Sequence, residues 1–197
     1  MPKQKITRDM VLEAAFSIAR EQGPEQVLVK AIAQRLGCSV QPIYSYCENM
    51  EALREDLSRM AGSFLGRYLA EHVDRDNLFR STGDAYLRFA KEEPNLFRLY
   101  FFRRRPPAAS LAQLCAQESN PRMAAFLQSA LGLDEAGARA LHLHMTIYTM
   151  GLSFLLSASG GGLSLEELQR QMEAAYAAFA GQAGLPVPNH NQKGASQ

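Results

Sequence analysis

Residues 28–46 read LVKAIAQRLGCSVQPIYSY, and the fold of the chain turns on this stretch. It predicts a short helix from about Val29 to Leu36, a turn at Gly37, and a third helix over about Val40 to Tyr46 capped by Ser39. Pro42 falls in the first turn of that helix, where its missing N–H costs nothing. A helix-turn-helix needs a small residue where its helices cross, a Gly at the tight turn and an apolar anchor on the second helix. Ala33, Gly37 and Ile43 occupy those positions, four and then six residues apart. Ala33 permits close packing, and Gly37 supplies a left-handed conformation that costs other residues about 1 kcal/mol or more. Ile32 and Ile43 are expected to bury against the preceding helix, with Cys38 filling a small apolar gap. These three positions fit two structures equally: an ordinary hairpin of an all-helical domain, and a hairpin that reads DNA.

Outward from that core, Thr7 is an N-cap for a first helix, with Asp9 placed favourably for the helix dipole. Met10, Val11, Ala14, Ala15, Ile18 and Ala19 form its apolar face, and Gly23-Pro24 ends it. Asn49 caps a long fourth helix. Beyond residue 60 the pattern stays helical. Leu53, Leu57, Met60, Phe64 and Tyr68 make one stripe, and Phe79, Thr82, Tyr86 and Phe89 another. Pro94 breaks the chain before an aromatic-rich helix, and Arg103-Arg104-Arg105-Pro106-Pro107 reads as an exposed loop. Helices resume near Ser110 and from about Asn120 to Leu131. From Asp134 to about Ser159 apolar residues lie on nearly all sides, so that helix should be buried on more than one face. After Gly160-Gly161-Gly162, Ser164 and Glu167 form a capping box for the last helix.

The composition agrees with an all-α fold. Hydrophobic residues are 47% and charged residues 21% of 197, enough for a sizeable core and too apolar for disorder over most of the chain. Good helix formers dominate, and Trp is absent. The net charge of +1 means that any DNA binding must rest on a local patch rather than a basic excess. Cys38, Cys47 and Cys115 show no metal-ligand spacing, as expected of reduced thiols. The opening Met1-Pro2-Lys3-Gln4-Lys5 has no apolar signal-peptide core. The most apolar stretch, Leu141 to Ala158, is too polar and slightly short for a membrane span. A cytoplasmic protein is expected. His142 and His144, two apart on a helix, point to different sides, so no metal site is expected. No Ser-His-Asp order, paired-carboxylate motif or phosphate loop stands out, so neither an enzyme nor a cofactor is expected.

The stretch from Thr7 to Leu53 resembles the DNA-binding domain of the TetR (tetracycline-repressor) family. Its matching elements are Val11-Leu12, Ala14-Ala15, Gly23, Ile32-Ala33, Gly37-Cys38-Ser39, Ile43-Tyr44, Glu51 and Leu53. Phe89 to Tyr100 is similar to a segment found in one group of that family's C-terminal domains. The chain departs from the pattern at Met50, where the family has a phosphate-contacting Lys, and at Gln41 and Val29; Glu48 adds a negative charge. The resemblance implies an N-terminal three-helix helix-turn-helix domain (1–48). A larger helical effector-binding and dimerisation domain (49–183) and a disordered tail (184–197) follow.

It also implies a DNA-binding regulator, a repressor by the family's habit, acting as a homodimer on a palindromic double-stranded operator. The recognition helix offers Ser39, Val40, Gln41, Tyr44, Ser45 and Tyr46 to DNA, with Lys30, Lys3 and Lys5 as the nearest cations. Gln41 suits bidentate pairing with adenine, a solvated surface Gln being the alternative, and the two tyrosines suit phosphates, the alternative being that one of them is core. Phe64, Tyr68, Phe89, Phe97, Tyr100 and Phe101 would line a pocket for an apolar or aromatic effector. Tyr86, His144 and Tyr148 are its polar handles, and a solid aromatic core is the alternative. The stripe Leu165, Leu168, Met172, Ala175 and Phe179, with Gly151 and Phe154, suits a four-helix dimer interface, the alternative being packing within one chain. A small-molecule-binding protein with a vestigial helix-turn-helix is the competing function.

Overall fold

In the computed structural model of the chain, Thr7 opens the first helix by accepting the Met10 backbone N–H on its side-chain oxygen at 3.3 Å. The structure describes residues 6–46, 49–117, 122–159 and 162–185. Lys3, Lys5, Cys47, Glu48, Gly160, Gly161 and the tail beyond Leu185 lie outside the described residues. The fold is all-helical, with no strand among the described residues. The helices are α1 (Arg8–Gln22), α2 (Val29–Arg35), α3 (Val40–Tyr46), α4 (Met50–His72), α5 (Leu78–Glu92), α6 (Pro94–Phe101), α7 (Leu111–Ala116), α8 (Met123–Leu131), α9 (Glu135–Ala158) and α10 (Leu165–Gln182). A 3-10 turn, Pro24–Gln26, follows α1. The caps expected at Asn49 and Ser164 form, Asn49 Oδ1 accepting from Ala52 N at 2.7 Å and Ser164 from Glu167, and the structure adds Ser110 accepting from Gln113 and Asp134 from Gly137. No described helix is long and apolar enough to cross a membrane.

The chain divides into two compact units, residues 1–72 with 89–105, and residues 73–88 with 106–197. In the first, α1 buries Val11, Ala14, Ala15, Ile18 and Ala19, and packs against α2, α3, α4 and α6. Ile32, Ala33 and Ile43 close the helix-turn-helix beneath it. Gly37 takes φ +63° and its N–H reaches Gln34 O at 3.2 Å, while Cys38 N donates to Ala33 O at 3.0 Å. These two bonds occupy carbonyls that the end of α2 would leave bare. On α4 the buried stripe is Leu53, Leu57, Ala61, Leu65 and Tyr68. Met60 and Phe64, expected on it, are only half-buried, because α4 serves α1 on one side and α6 on the other. Gly62 admits α6 closely: a Cβ there would stand 2.7 Å from the Tyr100 ring.

In the second unit α9 is the centre. It buries Ala138, Leu141, Met145, Thr149, Ser153 and Leu156 along one stripe, against α8 and α10. Leu168, Met172 and Ala175 of α10 are buried in return, and Thr149 Oγ1 donates to Met172 Sδ at 3.4 Å. The expectation of more than one buried face on α9 is not met within one chain. Ile147, Gly151, Phe154 and Leu155 remain exposed on its other side.

Ile43 is the anchor of α3. Replacing it with Ala is expected to cost about 2–5 kcal/mol, the usual range for truncating a fully buried Ile. Urea unfolding checks this; a cost below about 1 kcal/mol would mean that α3 is held by something else.

Candidate nucleic-acid interface

A seven-residue helix of about 10 Å has room for one inward anchor and one outward face. On α3 the anchor is Ile43, with no solvent exposure. Ser39, Val40, Gln41, Tyr44 and Ser45 all face solvent, and Tyr44 is 63% exposed. An aromatic ring held that far into water has no packing role to explain it. Lys30, at the second position of α2, is exposed as well. Val40, Gln41, Tyr44 and Ser45 thus share a short helix narrow enough for a major groove of about 12 Å.

Of the two tyrosines, Tyr46 has a partner within the chain. Its hydroxyl donates to the carbonyl of buried Ile6 at 2.9 Å, tying the end of α3 to the residue that leads into α1. It is thereby a structural clamp rather than a second copy of Tyr44. Beside it a cleft of about 230 Å³ is lined by Arg8, Val11, Leu12, Tyr46, Ala52, Leu53 and Asp56. That is smaller than the roughly 300–1,000 Å³ of ligand pockets, and the Arg8–Asp56 ion pair joins two of its lining residues.

Two polar devices that periodicity could not reveal fix the orientation of the hairpin. Arg35 of α2 makes a bidentate contact with Glu21 of α1, at 2.9 and 2.7 Å, and also donates to Ser17 Oγ at 2.5 Å. Ser17 Oγ in turn donates to Glu21 at 2.7 Å. The hydrogen bonds from Arg35 and then Ser17 hold the Glu21 carboxyl down at about 2, and the bond to Glu21 raises the Arg35 guanidinium. At the same end of α1, Arg20 pairs in a fork with Glu93, its Nε reaching Oε2 at 2.8 Å, and Asn95 Nδ2 donates to Arg20 O at 2.8 Å. α6 is thereby latched to α1.

The expected effector residues divide between the units. Phe64, Tyr68, Phe89, Phe97, Tyr100 and Phe101 belong to the first, and Tyr86, His144 and Tyr148 to the second. Within the first, the rings pack on one another: Phe64–Phe89 at 6.3 Å, Tyr68–Phe89 at 5.3 Å and Phe97–Phe101 at 4.5 Å between centroids. Phe89 and Phe97 are fully buried, and Tyr68 OH donates to Glu92 at 2.6 Å. In the second, His144 and Tyr148 both meet Phe179, at 4.9 and 6.4 Å. Of the expected dimer residues, Leu168, Met172 and Ala175 are buried in their own chain, and Leu165 and Phe179 are half-buried. Gly151 and Phe154 face outward.

No family model matches the chain. Over 99 residues it is 25% identical to the uncharacterized HTH-type transcriptional regulator YobS of Bacillus subtilis (strain 168). The chain is similar to a transcriptional regulator. The match covers 49% of this chain and 52% of that protein, so the chain spans about half the length of the curated relative it matches.

The Glu21 carboxylate carries a pH prediction. Its folded value of about 2 lies below the ordinary 4.5, so its stabilising contribution is complete above pH 4.5 and is lost as pH falls toward 2. A carboxyl NMR titration should place Glu21 near 2, and Glu21→Gln should flatten the acid side of the stability profile between those values. A normal midpoint for Glu21 would dissolve the α1–α2 clamp.

Proposed function

We propose that this chain is a DNA-binding transcription regulator of the TetR type, which acts as a homodimer on a palindromic operator through α3. The observation that carries this reading is the outward face of α3: Ser39, Val40, Gln41 and Tyr44 stand in solvent on a helix pinned from behind by Ile43. The likeness to a regulator named for its helix-turn-helix supports the same conclusion. Gln41 reads a base, worth about 1–3 kcal/mol of discrimination, and Tyr44 and Lys30 hold phosphates, which position without specifying.

Dimerisation belongs to the proposal because one hairpin makes a small footprint, and two related by a two-fold read successive grooves about 34–36 Å apart. The surface proposed for it is the open apolar face of α9, where Ile147 is 40% and Leu155 55% exposed. Gly151, between them in sequence and exposed, offers no side chain to hold a partner helix away. A small effector that lowers operator affinity, making the protein a repressor, is the remaining part of the proposal. Ser153 Oγ in the second unit supports it: the atom is buried with no hydrogen-bond partner among the described residues, a state that costs about 1–3 kcal/mol until something satisfies it.

Selection of bound sequences from random duplex DNA, followed by a salt titration of the winner, tests the reading. A palindrome is expected. Lys3, Lys5 and Lys30 from each of two subunits give a log–log salt slope of about −5 or steeper. Recovery of no sequence even at low salt would overturn it, and leave a ligand-binding protein with a vestigial hairpin. For the dimer, sedimentation should show the unaltered chain as a dimer and Ile147→Glu as a folded monomer with much weakened operator binding; an unaltered chain that sediments as a monomer contradicts the dimer.

A further inference from the structure

Three consecutive arginines, Arg103, Arg104 and Arg105, follow α6 and have no part in the reading so far. Their roles separate in the structure. Arg103 Nη1 donates to Tyr100 O at 2.7 Å, and its guanidinium lies 3.9 Å over the Tyr100 ring. Arg105 Nη2 donates to Phe101 O at 2.6 Å and its Nη1 to Arg103 O at 3.3 Å. Both therefore fold back onto the last carbonyls of α6, where positive charge also suits the helix dipole. The residue between them turns the other way. Arg104 is 88% exposed, and its Nη1 stands 3.4 Å from Glu51 Oε1 in the first turn of α4. The two flanking arginines fix the loop, so Arg104 is presented at a set place.

That place is the flank of the recognition helix. α4 begins at Met50, four residues beyond the end of α3 at Tyr46. A helix of about 10 Å lying in a groove of about 12 Å brings its end to the strand of phosphates at the groove edge. With α3 in the groove, the first turn of α4 would face that strand with Glu51, a carboxylate that repels it, and with half-buried Met50, which offers it no charge. Arg104 lies against that carboxylate with its guanidinium in solvent.

We propose that Arg104 is a DNA-phosphate contact supplied from the α6–α7 loop, outside the helix-turn-helix. On binding, it moves from Glu51 to the phosphate beside the N-terminus of α4. The inference rests on the DNA-binding reading of α3. It adds a contact that the sequence of the hairpin does not contain, and it makes operator affinity depend on where α6 ends.

The test uses the full chain and the selected duplex, with binding followed by fluorescence anisotropy across salt concentrations. Arg104→Ala should leave the circular dichroism and melting temperature unchanged, since its side chain is exposed. It should flatten the salt slope by about two for a dimer, one per lost contact, and weaken binding about 10–100-fold near 0.1 M salt while converging with the unaltered chain near 1 M. Arg104→Lys should keep the slope, and Arg75→Ala, an exposed arginine of the second unit, should not change it. The double variant Glu51→Gln/Arg104→Ala should keep the flattened slope. If it recovers the original slope and affinity, Arg104 only masks Glu51 and the proposal is overturned. An unchanged slope in Arg104→Ala overturns it too, while leaving α3 as the reader. An unaltered chain that binds no duplex at any salt overturns both readings together.

Discussion

Ile43 lies without solvent exposure on a helix of seven residues, and an isolated helix of that length has no stability of its own in water. Its orientation is therefore set almost wholly by the contact between that side chain and the helices behind it, α1 and α2. Everything proposed for the outward face follows from this constraint. With Ile43 inward, positions 40, 41 and 44 point to solvent, and a rotation of α3 would exchange an apolar anchor for polar residues in the core. The turn at Gly37 and the small side chain of Ala33 serve the same end, since both bring α3 close enough for Ile43 to reach the interior.

Around this anchor the first unit uses polar contacts at helix ends. Arg35 holds α2 to α1 through Glu21, Arg20 holds α1 to the start of α6 through Glu93, and Tyr46 holds the end of α3 to Ile6. Each is at least partly exposed, so each contributes modestly to stability. Their effect is geometric: they specify angles that apolar packing alone leaves soft. The hairpin and α6 thus belong to one compact unit, although almost fifty residues separate them in sequence, and an arginine after α6 comes to lie beside α4. Electrostatically the arrangement is sparing. With a net charge of +1, the chain has little long-range steering to offer, and affinity must come from a few well-placed cations and from shape.

The sequence was most legible where one residue had one job. Thr7, Asn49 and Ser164 cap the helices they were expected to cap, because a short oxygen-bearing side chain before an apolar stripe has few other uses. Ala33, Gly37 and Ile43 were legible through their spacing. Side chains with two possible partners were harder to read. Tyr46 and Tyr44 are the same residue type two positions apart, yet only the fold decides that one reaches Ile6 and the other water. The aromatic residues between Phe64 and Tyr148 carry no mark of which compact unit they join. Leu168, Met172 and Ala175 have the spacing of a helix–helix seam, but spacing does not tell whether the facing helix belongs to the same chain. The separate fates of Arg103, Arg104 and Arg105 depend on where α6 ends, which no periodicity in that stretch announces.

The central claim is that α3 is the surface that meets DNA. Backbone amide NMR shifts of the full chain, recorded during titration with the selected duplex, test it most directly. The account predicts the largest changes at Ser39, Val40, Gln41 and Tyr44, smaller ones at Lys30 and at the start of α4, and none along α9 beyond those of the free protein. Perturbations that leave α3 untouched and fall on the second unit would contradict it.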